Sequence, residues 1–133
     1  MSSAYPEVDR VLFPAALAVI GDVTSSVLKA ALDGLAQRQR VTADNIANVN
    51  TPGFLAGRVD FESSLRGALA NGENPASATA MVARSLQPTN TNGNNVNLDT
   101  ETVSATETGL RYQLTLNALD GKYSSLRTAL RTS

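Results

Sequence analysis

The stretch Thr42–Phe54, which reads TADNIANVNTPGF, constrains the fold of this 133-residue chain more than any other. It predicts a helix that ends among asparagines, because asparagine tolerates the left-handed conformation found at helix ends. Thr51 precedes a proline and is therefore biased towards an extended conformation. Pro52 and Gly53 suit the central positions of a type II turn, where glycine supplies the positive φ angle. We therefore expect a helix, a sharp turn, and a new segment that begins at Phe54.

The residues before this turn carry the apolar spacing of a long helix. We assign residues 22–50 to it, with Asp22 or Thr24 as the N-cap and an end at about Asn48. Its seam positions recur in steps of four and three, which is typical of a coiled coil. That seam consists of Leu28, Leu32, Leu35, Gln39, Thr42, Ile46 and Val49. A generic amphipathic helix would show a similar pattern, and the spacing alone does not separate the two interpretations.

A second long helix is predicted over residues 98–133, with Asn97 or Asp99 as its N-cap. Three of its four acidic residues lie in the first half and most of its basic residues in the second, which suits the helix macrodipole. One stripe with the four-three spacing consists of Tyr112, Leu116, Leu119, Tyr123, Leu126 and Leu130. A second stripe, on another face, consists of Val103, Leu110, Leu114 and Ala118. Two apolar faces on one helix predict contacts in more than one direction, as in a packed array of subunits.

Residues 1–21 form an N-terminal extension. Pro14 suits the first turn of a short helix over Phe13–Ile20, and Gly21 is expected to end it. Two interpretations of the extension are open, a flexible tail and a segment used in export or docking.

The middle of the chain is predicted to have shorter elements and less regular structure. Residues 51–70 contain the turn and a short helix that Asp60 can cap. Residues 71–97 are rich in asparagine and are predicted to be a loop. A short apolar patch within it, Ala80–Ala83, is expected to pair as a strand or to dock on a neighbour.

These patterns predict a mainly α-helical fold. Two long terminal helices form an antiparallel coiled-coil-like pair, joined by a turn, a short helix and a long irregular middle loop. Residues 22–50 and 98–133 together make one helical unit. Val, Ile, Leu and Phe supply only 32 of the 133 residues, little above the level at which chains stay disordered. We therefore expect the protein to complete its burial against partners.

The residue inventory argues against catalysis. Histidine and cysteine do not occur, which removes the commonest general base and any thiol nucleophile or thiolate metal site. Phosphate-binding and nucleophile-elbow motifs are missing as well. The net charge of −1 gives no overall field for nucleic acid or membrane. We predict a protein that is not an enzyme and has no cofactor, bound metal, small-molecule substrate or nucleic-acid partner.

The longest apolar run, Val11–Gly21, is too short to span a bilayer. The residues before it lack the basic segment of a cleaved secretion signal. We therefore expect any export to use a route without signal cleavage.

Two segments resemble a known family. Thr42–Phe54, extended back to Leu32–Arg40 (LDGLAQRQR), resembles the N-terminal signature of bacterial flagellar rod and hook proteins, and most of all the proximal rod subunits. The motif residues are Asn45, Asn48, Thr51, Pro52, Gly53 and Phe54. Asn92–Asp99 (NGNNVNLD) is similar to the family segment before the C-terminal helix, with asparagine at 92 and 97 where aspartate is frequent. Leu110–Gln113 (LRYQ) is similar to a third family motif. The resemblance covers residues 24–61 and 92–130.

The resemblance implies a structural subunit that polymerises helically into the proximal rod, the shaft between the membrane ring and the distal rod of the flagellar basal body. The implied partners are further copies of the chain, other rod subunits, membrane-ring and adaptor proteins at the rod base, and the flagellar type III export apparatus, which delivers the subunit uncleaved. The expected assembly interface consists of Leu28, Leu32, Leu35, Ile46, Val49, Tyr112, Leu116, Leu119, Tyr123, Leu126 and Leu130. The alternatives are a sibling rod or hook subunit and a stand-alone helical adaptor or secretion chaperone.

Overall fold

A computed structural model describes residues 6–132, which form three α-helices and a two-stranded sheet. The elements in chain order are α1 (Pro6–Ala47), β1 (Gly57–Asp60), α2 (Phe61–Ala70), β2 (Met81–Arg84) and α3 (Leu98–Thr132). A 3₁₀ turn at Pro75–Ser77 lies between α2 and β2. The predicted mainly helical class is confirmed, whereas the small sheet adds to it.

The two long helices run antiparallel to each other. Near the end of α1, the Asn45 amide donates to the Glu101 carboxylate, which lies in the first turn of α3. Earlier in α1, Leu35 lines a groove together with Thr108 and Tyr112 of α3. At 1.5 Å per residue, the 42 residues of α1 extend about 63 Å. The two helices therefore set the long dimension of the subunit.

The predicted break at Gly21 is wrong. Helix α1 is continuous through that position, so it does not begin at Asp22 or Thr24. A glycine inside a helix costs only about 1 kcal/mol relative to alanine, which neighbouring turns can absorb. In the part of the chain that the structure describes, positive φ angles occur at Gly53, Gly72 and Gly93, and Gly21 is not among them. Residues 1–5 of the predicted extension lie outside the described residues.

The sheet forms within the region expected to be irregular. Strand β2 pairs antiparallel with β1, with Gly57 opposite Arg84 and Asp60 opposite Met81. The prediction that the apolar patch pairs as a strand is therefore confirmed. Strand β1 was not predicted, because four residues are too few to show a period. Side chains of α1 bond the backbone of β1. Asn45 bonds Gly57, and Arg38 bonds Val59.

Helix α2 folds back onto α1 immediately after β1. Asp60 caps it as predicted, because its carboxylate accepts the backbone N–H of Ser63 at 3.1 Å. The small apolar core consists of Leu35, Val59 and Phe61. Gly34 makes this packing possible, since a Cβ atom at that position would lie 2.2 Å from the Phe61 ring.

Buried polar side chains are as numerous as buried apolar ones among the described residues. The apolar set is Leu35, Ala56, Val59, Phe61, Ala68, Val96 and Leu119. The polar set is Thr42, Asn45, Ser85, Asn94, Asn95, Glu101 and Thr108. Hydrogen bonds as well as apolar contacts therefore hold this fold together.

Over the residues that the structure describes, no helix combines the length and the hydropathy needed to cross a bilayer.

Candidate functional site: the contact between the two signature segments

The two segments that carry the sequence signatures lie against each other, although about 40 residues separate them in the chain. We name the contacts between Thr42–Phe54 and Asn92–Asp99 the clasp. It closes the end of the helix pair, because it joins the chain leaving α1 to the chain entering α3. The clasp is therefore the place where the two signature segments contact each other.

A type II turn forms the tip of the clasp, as the sequence predicted. The N–H of Phe54 bonds the carbonyl of Thr51 at 3.3 Å, and Gly53 has a φ of 73°. Gly53 then donates its N–H to the carbonyl of Asn92 at 2.9 Å. Gly93 has a φ of 79°, and a Cβ atom on it would lie 3.3 Å from the Gly53 Cα. Glycine at both positions allows the two backbones to approach this closely.

Asn94 ties the turn to the second segment through its side-chain amide. Its Nδ2 donates to the carbonyls of Asn48 at 2.9 Å and Thr51 at 2.8 Å, just beyond the end of α1. Its Oδ1 accepts the N–H of Val96 at 2.8 Å. Carbonyls at a helix end lack partners within the helix. The carbonyls of Asn48 and Thr51 accept backbone N–H groups within the turn, and the fully buried Asn94 amide gives each of them a second donor.

Asn95 makes an equivalent connection to the sheet. Its Oδ1 accepts the N–H of Ala56 at 2.7 Å, just before β1. Its Nδ2 donates to the carbonyls of Ser85 and Gln87, just after β2. Adjacent asparagines therefore fix the helix end and the strand ends in one position relative to each other.

An ion pair between a partly exposed arginine and a buried glutamate lies beneath the turn. Glu101 is completely buried and accepts from the Arg58 guanidinium at 2.6 Å and from the Asn45 amide at 3.0 Å. The same Asn45 side chain exchanges two hydrogen bonds with the backbone of Gly57, at 2.8 and 3.0 Å. A buried carboxylate is tolerated only when its charge is paired and its oxygens are bonded. This network meets both conditions and connects α1, β1 and α3.

A second, less buried ion pair holds α2. The Arg38 guanidinium bonds Glu62 at 2.6 Å and the Val59 carbonyl at 2.9 Å, and it stacks 4.8 Å from the Phe61 ring centre. Burial alone would raise the pKa of Glu62, but the Arg38 hydrogen bond, a backbone N–H hydrogen bond and the Arg38 charge together outweigh it and lower that pKa. Hydrogen bonds from Ser63 lower the pKa of Asp60. Both carboxylates are thus stabilised in the charged form.

The predicted turn residues fall into two groups. Asn45 is buried and Phe54 lies under the Arg84 guanidinium at 5.5 Å, whereas Thr51, Pro52 and Gly53 are exposed at the tip. Asn48 has its side chain on Asp44 and accepts from Thr51. The turn is thus an exposed surface supported by a buried polar network.

The predicted interface residues differ in their burial within the single chain. Leu35 and Leu119 are buried. The half-buried members are Leu28, Leu32, Ile46, Val49 and Leu116. The exposed members are Tyr112, Tyr123, Leu126 and Leu130. Their role in assembly stays a prediction.

The structure also shows functional residues that the sequence analysis missed. The Asn94 side chain bonds across the clasp, while Asn95, Arg58 and Glu101 connect the neighbouring segments to the sheet and to α3. Residues 85–97 form no helix or strand, but Asn94 and Asn95 within them are bonded to distant backbone groups. From the sequence, Glu101 is one of the acidic residues in the first half of the C-terminal helix. The signature NGNNVNLD was the available signal, but it does not reveal a partner 40 residues away.

Nothing in the described residues suggests a reaction centre. No group of three or more acidic, histidine or cysteine side chains is placed to hold a metal ion in that part of the chain. The network of Asn45, Arg58 and Glu101 is satisfied internally, and none of the buried side-chain polar atoms described lacks a hydrogen-bond partner. The clasp is therefore suited to fixing the position of the end of α1 relative to the start of α3.

Comparison with known proteins identifies relatives of this chain. Residues 27–54 match a family model described as flagella basal body rod protein. The chain is 33% identical over 122 residues to the flagellar basal body rod protein FlgB of Escherichia coli, covering 77% of this chain and 88% of that protein. It is 31% identical over 121 residues to the FlgB of Yersinia enterocolitica, covering 76% and 88%. It is 30% identical over 105 residues to the FlgB of Bacillus subtilis, covering 70% and 81%.

Proposed function

This chain belongs to the FlgB family of flagellar basal body rod proteins, so it is a structural rod subunit, and we propose that it polymerises helically into the proximal rod. In that position it forms the part of the drive-shaft between the membrane ring and the distal rod. Its role there is mechanical and non-enzymatic, in keeping with the names of its relatives.

One observation carries the assembly proposal, the exposed apolar stripe on α3. Val103, Leu110 and Leu114 are exposed for 65%, 63% and 69% of their surfaces. They lie on the face of α3 opposite Glu101, Thr108 and Leu119, which are buried. Apolar side chains in a row on one helix face favour contact with another apolar surface. We infer that this stripe packs against neighbouring subunits.

The other face of α3 is proposed to form the coiled-coil-like seam with α1. Leu35 and Leu119 are already buried in the single chain, and this supports packing within the subunit. Tyr112, Tyr123 and Leu126 are exposed for 37–38% of their surfaces. Neighbouring subunits would cover the part of the seam that one chain leaves exposed.

The partners follow from the family. We propose contacts with further copies of the chain, with other rod subunits, and with membrane-ring and adaptor proteins at the rod base. Delivery uses the flagellar type III export apparatus and leaves the subunit uncleaved. The exposed tip formed by Thr51, Pro52 and Gly53 is rigidly supported from below, which suits a contact along the axis of the shaft.

The experiment replaces an exposed stripe residue by a charged one. Leu114→Asp should leave the fold of the isolated chain intact, because the side chain is mostly exposed. In a neighbour contact it would desolvate a carboxylate, at a cost of several kcal/mol. We expect a rod-null strain carrying Leu114→Asp to secrete the subunit but to lack completed basal bodies. Secretion is scored by immunoblot and basal bodies by electron microscopy.

The matched control is Gln113→Glu, which adds a charge on the same turn at an exposed polar position. It should support basal-body assembly at close to the wild-type level, since exposed charges contribute about 1 kcal/mol or less. Normal basal bodies from Leu114→Asp would refute the stripe as an interface. A stable, defined oligomer of the purified chain would instead favour the adaptor or chaperone alternative.

A further inference from the structure

The sequence contains four peptides in which glycine follows an asparagine or aspartate. They are Asp33-Gly34, Asn71-Gly72, Asn92-Gly93 and Asp120-Gly121. Such peptides are chemically labile, because glycine has no Cβ to hinder attack of its nitrogen on the preceding side chain. We propose that the fold protects three of them from imide formation, which releases water at aspartate and ammonia at asparagine, and leaves Asn71 as the site of spontaneous deamidation in this protein.

The reaction needs only water in addition to the chain. The Gly72 nitrogen loses its proton and attacks the Asn71 side-chain carbonyl carbon, a new C–N bond forms, and ammonia leaves. Water then opens the five-membered imide at either carbonyl. One opening gives aspartate, and the other gives isoaspartate with the main chain rerouted through the side chain. In both products a neutral amide has become a carboxyl group.

Two of the four peptides lie inside long helices. Asp33-Gly34 is within α1, where Gly34 is buried against Phe61. Asp120-Gly121 is within α3. Helical backbone geometry keeps the attacking nitrogen from the side-chain carbon, so the imide can form only after local unfolding.

The clasp holds the third peptide. The Asn92 Oδ1 accepts the N–H of Asn94 at 3.1 Å, and its carbonyl accepts the N–H of Gly53 at 2.9 Å. The Gly93 nitrogen, which would attack, donates to the carbonyl of Asn90 at 2.9 Å. Forming the imide would break all three bonds and separate the two signature segments.

Asn71 is held far less firmly. It is the exposed C-cap residue of α2, and none of the described residues bonds its side-chain amide. The Gly72 N–H makes one long bond, 3.2 Å, to the carbonyl of Leu69 at a helix end. Helix ends open at low cost. The product places a negative charge at the C-terminus of α2, where the helix dipole disfavours it.

The test compares the two Asn-Gly peptides within one molecule. The purified full-length chain is incubated at mildly alkaline pH, and peptide mapping by mass spectrometry follows amide-to-acid conversion at each site. The same incubation in strong denaturant gives the reference rates. We expect similar rates at both sites in the unfolded chain. In the folded chain, Asn71 should convert about tenfold or more faster than Asn92, the factor that corresponds to about 1.4 kcal/mol of local opening.

Two variants separate the causes. Asn94→Ala removes the amide that binds Asn48 and Thr51, so it should accelerate conversion at Asn92 and leave Asn71 unchanged. Gly72→Ala should slow conversion at Asn71 and leave Asn92 unchanged. Equal rates at the two sites in the folded chain, or a faster rate at Asn92, would overturn the proposal. So would an Asn71 rate in the folded chain far below its denatured reference.

Discussion

Asparagine amides carry the clasp because each amide group both donates and accepts hydrogen bonds. Asn94 bonds three backbone groups, two through Nδ2 and one through Oδ1. A serine hydroxyl has one proton to donate and could not satisfy two carbonyls at once. The pattern of bonds at this position thus calls for a side-chain amide, and a helix-end interpretation of asparagine explains only part of the signature.

Gly34 provides a prediction at the residue scale. An alanine inside a helix normally stabilises by about 0.5–1 kcal/mol relative to glycine. At Gly34 the added methyl group would lie 2.2 Å from the Phe61 ring. We therefore expect Gly34→Ala to lower the free energy of unfolding by about 1–3 kcal/mol, the usual cost of overpacking. Urea unfolding monitored by circular dichroism measures it.

Gly67→Ala is the matched control for this change. Gly67 also lies inside a helix, but no atom is within 4 Å of a Cβ placed there. This variant should gain about 0.5–1 kcal/mol. If Gly34→Ala gained as much as Gly67→Ala, the Phe61 ring would not lie over Gly34, and the packing of α2 on α1 would need revision.

At the scale of elements, one arginine positions α2. Arg38 contacts the last part of β1, the first turn of α2 and the ring that enters the core. The sequence predicted α2 and its Asp60 cap, because a cap and an apolar period are local signals. It did not predict this attachment, since a single arginine on a helix looks like an ordinary solvated charge.

The attachment of α2 should weaken in acid. The pKa of Glu62 is lowered in the folded chain relative to the 4.5 of an unperturbed glutamate. The stability that this pair contributes is therefore present above pH 4.5 and is lost as the pH falls through the lower folded pKa. The effect should be about 1 kcal/mol or less, because the pair is partly exposed. Amide protection across α2, corrected for intrinsic exchange, measures it between pH 6 and strongly acidic conditions.

Glu62→Gln tests whether the Arg38–Glu62 ion pair causes the acid dependence of α2. This variant should show weaker protection of α2 at neutral pH and a smaller further loss in acid, because the Asp60 cap, whose pKa is also lowered, still titrates. Asp120→Asn removes an exposed carboxylate of α3 that forms none of the described ion pairs, so α2 should stay as it is in the wild type. An undiminished acid-dependent loss in Glu62→Gln would mean that another group controls the attachment.

The fold is predictable from sequence where signals are local and unpredictable where they are not. The type II turn, the Asn97 cap of α3 and the long helices follow from residue chemistry and period. The clasp depends on bonds such as that from Asn94 to Asn48, which have no periodicity and join distant positions. Gly21 shows that a local signal can also mislead. Glycine at this position predicts a helix end, but the surrounding helix continues through it.

At the scale of the whole molecule, buried side chains concentrate at the clasp end. In the second half of α3 as described, Leu119 is the one buried residue beyond Thr108. We expect amide exchange in the isolated chain to be slowest in residues 35–47 and 98–108. Exchange over residues 120–131 should be faster by about tenfold or more, because few buried contacts oppose local opening there. Exchange mapped by mass spectrometry tests this gradient.

Uniform protection along both long helices of the monomer would contradict the gradient. It would mean that the seam is complete within one chain and does not depend on neighbours. Loss of the gradient on incorporation into a rod, with the far half of α3 becoming protected, is the expected outcome in the assembled state.

The hydrogen bond from Gly53 to Asn92 has a consequence for how the chain tolerates insertion. This bond joins the chain just after α1 to the chain just before α3, so it closes the hairpin of the two long helices. Residues 54–91 therefore leave this hairpin at Gly53 and return to it at Asn92. Lengthening such a loop by a few residues at its outer turn carries a small entropic cost. It leaves the register of α1 against α3 unchanged. The exposed turn at Asn71–Asn74 is therefore the natural position for a tag or a reporter peptide that must not disturb the shaft.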